Sequence, residues 1–62
     1  MNYIQITRVI EQQITSLLSD PVYDDKRRHE FAYGAYLTWH ALVGNTFLPA
    51  DDLRLWKLVR YR

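Results

Sequence analysis

Apolar residues recur at helical spacing in the first third of the chain. Ile6, Ile10, Ile14 and Leu17 mark one side, with Tyr3, Val9 and Leu18 flanking them, while Gln5, Arg8, Gln12, Thr15 and Ser16 fall opposite. This pattern predicts an amphipathic helix over residues 3–18. Asn2 stands where an N-cap belongs and Gln5 follows three residues later, the spacing of a capping box. Ser19-Asp20-Pro21 announces its end, because proline disfavours helix in the residue before it and brings no amide hydrogen.

The second segment has a different character. A helix beginning at Pro21 with Asp20 as cap, or restarting at Asp24 or Asp25, runs to Val43, where Gly44-Asn45 stops it. At 100° per residue Phe31, Ala32, Ala35, Tyr36, Trp39, Leu42 and Val43 gather into one arc. Gly34, Thr38 and Ala41 form a line small enough for another helix to approach closely, and Tyr33, Leu37 and His40 form a third. A helix over 24–43 that is apolar on several sides is expected to be mostly buried.

Pro49-Ala50-Asp51-Asp52 suits a first helical turn. The last helix, about 50–60, carries Leu53, Leu55, Trp56, Leu58 and Val59 on one broad side and Arg54, Lys57, Arg60 and Tyr61 on the other. A terminal strand competes for Leu53-Arg54-Leu55, but Trp56 and Leu58-Val59 break the period of two. The expected fold is all-α: a single domain over 1–62, built as a small three-helix bundle around a long central helix.

Size and composition sharpen that picture. At 62 residues the margin between apolar burial and chain entropy is thin, and zero cysteines remove disulfides and thiolate metal sites. Self-association is the support that remains. Apolar residues at 48% and aromatics at 15% argue for globular order. Residues 31–50 hold no charged side chain, yet the dense apolar part ends at Val43, short of the roughly 20 residues a bilayer crossing needs. The opening residues lack the basic start and apolar run of a signal peptide, so a cytoplasmic location is the expectation.

Chemistry is sparse. There is no glycine-rich phosphate loop, nucleophile elbow or paired-histidine metal motif. Asp24, Asp25, His29 and Glu30 are the one catalytic-looking grouping, and their spacing equally suits helix-stabilising pairs on a solvated surface. No enzyme activity, cofactor or metal is expected. Lys26-Arg27-Arg28 is flanked by Asp24, Asp25 and Glu30, which cancel most of its field, and a net charge of +1 is modest for a nucleic-acid binder.

Nine aromatics in a chain this short exceed what a small core can enclose, and tyrosine and tryptophan are favoured at protein interfaces. The expected function is that of a small bacterial or phage regulator or inhibitor that binds a protein, as a homodimer. Tyr33, Tyr36, Trp39 and His40 form its apolar patch, and Arg54, Lys57 and Arg60 steer an acidic partner or one with an apolar groove. The alternative is a DNA-binding or nucleoid-associated modulator that meets phosphate with Arg54, Lys57, Arg60, Tyr61 and Arg62.

Several short strings bear on that alternative. Arg8-Val9-Ile10-Glu11, Leu18-Ser19-Asp20, and a proline ahead of Trp56-Lys57 and Val59-Arg60 are similar to the Hha/YmoA group of small bacterial nucleoid-associated modulators. That resemblance implies partnership with an H-NS-type DNA-binding protein. The proline-to-tryptophan spacing is longer here than in the group, and no functional residue is carried over from it.

Overall fold

Asn2 starts the first helix as its spacing predicts. In the computed structural model, which describes residues 1–61, helix α1 spans Tyr3–Leu18. The Asn2 side chain accepts from the Gln5 amide at 2.9 Å and the Gln5 side chain accepts from the Asn2 amide at 3.1 Å, so the capping box closes both ways. Past Leu18 the chain turns through Pro21, and Asp20 accepts from the Val22 amide. Arg28 Nε donates to the Asp20 and Tyr23 carbonyls at 2.7 and 2.8 Å, fastening this connection to the next helix.

Helix α2 spans Asp25–Val43, and Asp24 rather than Asp20 caps it by accepting from the Arg27 amide at 2.8 Å. Gly44 ends it at φ +60°, in the left-handed region that glycine enters without steric cost. A short 3-10 turn, Gly44–Thr46, leads to helix α3, Pro49–Val59, with proline in its first turn. No strand occurs among the described residues, and no helix is long and apolar enough to cross a membrane.

Ile14 from α1, Ala32, Tyr36, Trp39 and Val43 from α2, and Leu55 and Val59 from α3 form the core. Trp39 is fully enclosed, and its indole Nε1 donates to the hydroxyl of Thr7, also buried, at 2.9 Å. Burying the indole nitrogen therefore leaves no orphaned donor.

Three sequence expectations are corrected here. Phe31 and Leu42 lie outside the core although the wheel grouped them with Trp39. The buried line is narrower, 32–36–39–43, and Phe31 packs edge-on against Tyr23 at 4.8 Å instead. On α1, Val9 is exposed. On α3 the broad apolar side splits: Leu55 and Val59 point inward, whereas Leu53, Trp56 and Leu58 face solvent.

Candidate interaction surface

Two neighbouring carboxylates in the first turn of α3 fix that helix against the other two. Asp51 accepts from the Tyr3 hydroxyl of α1 at 2.6 Å, and Tyr3 in turn accepts from the Leu48 amide. Asp52 accepts from the Tyr36 hydroxyl of α2 at 2.6 Å, with His40 Nε2 also 2.6 Å away. An ionised carboxylate only accepts, so the His40 hydrogen sits on Nε2 and points at Asp52.

These contacts shift titrations on both sides. The Tyr3 hydrogen bond, followed by that of Arg54, holds Asp51 below the usual carboxylate range; the Tyr36 hydrogen bond, with help from His40, does the same for Asp52. Tyr36 is pushed up to about 12, first by burial and then by the bond it donates to Asp52. Tyr3 is raised for the same two reasons.

A pH dependence follows from these directions. Both aspartates have depressed folded values, so the stability they contribute is complete above their unfolded value of 3.8 and is lost as pH falls through the folded one. Tyr36 behaves oppositely: its contribution is complete below 10.0 and is lost as pH rises from there through about 12. A plot of melting temperature against pH is expected to fall at both ends, with Tyr36→Phe flattening the alkaline limb. An unchanged alkaline limb in that variant would show that ionisation of Tyr36 is not what destabilises the fold at high pH.

Each sequence-predicted contact residue can now be placed. Trp39 is inaccessible and Tyr36 is 8% exposed, so neither touches a partner of the folded chain. His40 is half-buried on Asp52. Tyr33 alone of that group stands well out, at 45%. Arg54 is also removed from the steering set, because its guanidinium bonds Asp51 at 2.6 Å and Glu11 at 2.9 Å, and these two acids raise its pKa further. Lys57, Arg60 and Tyr61 are exposed, with Arg60 lying 5.3 Å over the Trp56 ring. Arg62 lies outside the described residues.

What remains exposed has an order. His40 meets Asp52 and His29 Nδ1 meets the Val59 carbonyl at 3.0 Å, so α3 runs antiparallel to α2. Interpolating linearly between those ties puts Tyr33 level with Trp56, and Leu37 level with Arg54, one residue from Leu53. Tyr3 and Glu11 of α1 approach α3 at Asp51 and Arg54, leaving Leu53, Trp56, Lys57 and Arg60 on the flank turned away from α1. The outer seam of α2 and α3 is thus apolar in the middle and basic at one end. Beyond it, the solvent side of α2 carries no charge from Phe31 to Val43. Sequence reasoning missed this surface because it paired Tyr33 with Tyr36 and Trp39, which turn inward.

Two concavities also lie among the described residues. A groove of about 760 Å³ between α1 and the start of α3 is lined by Tyr3, Ile4, Arg8, Leu48 and the Glu11–Arg54–Asp51 ion pairs. A smaller one, about 470 Å³, holds Asp25, His29, Arg60 and Tyr61. In the grouping that looked catalytic, Asp24 is a helix cap, Glu30 is exposed, and His29 is anchored to the end of α3 with its Nε2 3.9 Å from Asp25. Among the described residues no three His, Cys, Asp or Glu side chains come together as metal ligands.

Comparison with protein-family models, with curated proteins and with solved structures finds no match to this chain.

Proposed function

We propose that this chain is a protein-binding module, a small cytoplasmic regulator or inhibitor of its partner. Its contact surface is the charge-free outer side of α2 together with the α2–α3 seam. One observation carries this reading: Phe31, Tyr33, Leu37 and Leu42 stay 43–58% exposed along a helix face that has no charged side chain past Glu30. Contiguous apolar surface of this kind is costly to leave in water and characteristically marks a binding site. Leu53 and Trp56 extend it across the seam, and Lys57 and Arg60 give it a basic margin that draws in an acidic partner.

Leu37→Glu tests the reading. The side chain is 49% exposed, so the variant is expected to keep the helicity and melting temperature of the parent to within a few degrees. Immobilised parent chain is expected to retain a partner from lysate that the variant loses. If both retain the same proteins, this face is not the binding surface. If retention collapses by orders of magnitude between about 50 and 200 mM salt, phosphate contacts dominate and the nucleic-acid alternative replaces this one.

A further inference from the structure

We infer that the groove between α1 and the start of α3 is a binding site for a small aromatic monocarboxylate, whose ring lies on Tyr3, Ile4 and Leu48 and whose carboxylate meets Arg8. The site lies apart from the protein-contact surface, on the side of α3 that faces α1. Its volume of about 760 Å³ falls within the range of small-molecule sites, roughly 300–1,000 Å³.

The charges of the groove decide what it takes. Glu11 stands three residues past Arg8, the spacing at which acid and base pair along a helix. It turns to α3 instead: Arg54 Nε donates to both Glu11 oxygens at 3.3 Å, and Arg54 Nη2 donates to Oε1 at 2.9 Å. Asp51 is engaged as fully, by the Tyr3 hydroxyl and by Arg54 Nη1, each at 2.6 Å. Arg8 lines the groove and has no carboxylate in ion-pair range among the described residues. A cationic ligand would therefore find both acids occupied, whereas an anionic one finds an open guanidinium, which can bind a carboxylate through two parallel N–H bonds. One negative charge is the limit. The lining holds two acids and two guanidiniums, so a second charge on the ligand would face Glu11 and Asp51 with nothing left to offset it.

Shape sets the body of the ligand. Ile4 lies one turn before Arg8, about 6 Å away at 1.5 Å per residue, and both Ile4 and Leu48 are more than half exposed. That span suits a flat fused ring better than a long alkyl chain, because Gln12 and Thr15 make the far end of the groove polar. The Tyr3 ring is held by its bonds to Asp51 and to the Leu48 amide, so this wall is in place before a ligand arrives.

Naphthoate is the probe. Added to the natural chain, it is expected to shift the backbone amide resonances of Ile4, Arg8 and Leu48 and to saturate with a dissociation constant on the order of 1 mM, usual for a ligand of its size. Naphthamide has the same shape without the charge, and its binding is expected to be about threefold weaker or more. Arg8 is exposed, so Arg8→Gln is expected to keep the circular dichroism of the parent and to bind the acid and the amide alike. Ile4→Ser is expected to weaken both. Equal affinity of the parent for naphthoate and naphthamide overturns the carboxylate contact, as does a helical Arg8→Gln chain that keeps the preference for the acid. Shifts centred on Leu37 and Trp56 put the ring on the α2–α3 seam and overturn the site, and so does the absence of saturable shifts at about ten times the expected dissociation constant. None of these results bears on partner capture by Leu37→Glu, so the two surfaces stand or fall separately.

Discussion

Replacing Trp39 by alanine is expected to abolish the cooperative thermal transition. The indole is wholly enclosed, with Tyr3 and Thr7 of α1 and Phe47 of the connection to α3 around it, and removing a buried tryptophan costs about 3–5 kcal/mol when the surroundings cannot close the cavity. The Thr7 hydroxyl, itself buried, would also lose its donor, adding about 1 kcal/mol. A domain of this length holds roughly 3–9 kcal/mol in total, so most of its stability goes with one side chain. Far-UV circular dichroism on heating checks this directly. Trp56→Ala is the comparison: that ring is 41% exposed, and its variant is expected to melt cooperatively close to the parent. A folded Trp39→Ala chain with a melting temperature near the parent's would mean that the core is not organised around this ring.

The second large effect is expected at Asp52. This carboxylate collects the Tyr36 hydroxyl and His40 Nε2, each at 2.6 Å, and it ties α3 to α2 at the end where α3 begins. Asp52→Ala leaves the buried tyrosine hydroxyl with only the His40 ring nitrogen, 3.0 Å away. Hydrogen bonds to charged groups are worth about 1.5–3 kcal/mol, so a loss of about 2–3 kcal/mol is expected. In a domain this small that lowers the melting temperature by about 10–20 °C. Tyr36→Phe should lose less alone, and combining the two should cost clearly less than their sum, because they remove the same bond. Additive losses in that double-mutant cycle would show that the two side chains act independently.

Much of the architecture is legible in the sequence because its punctuation is local. Asn2 with Gln5, Asp24, Gly44 and Pro49 each act through backbone groups within a few residues, and the helix boundaries follow from them. Which side of α2 turns inward is not legible in the same way. Apolar residues surround that helix, so Phe31 and Leu42 are as plausible in a core as Ala32 and Val43 until α1 and α3 choose a side.

The site residues fail for a related reason. Trp39 belongs to the expected contact patch by residue type, but its ring fills the space beside Thr7, a residue 32 positions away. Asp51 and Asp52 suit a helix start electrostatically, and nothing in their neighbourhood reveals that Tyr3 and Tyr36 will use them as acceptors across 48 and 16 residues. Arg54 belongs to the basic face by spacing and is nevertheless neutralised from α1 by Glu11. Tyr33, Lys57 and Arg60 stay outward because the seam geometry places them on the flank away from α1.

The paired aspartates fix the rotation of α3 about its own axis. Each carboxylate greets a different helix, and consecutive residues on a helix point about 100° apart. Asp51, Asp52, Leu55 and Val59 share one helix, so the single rotation of α3 that turns Leu55 and Val59 inward also brings both carboxylates to their tyrosines.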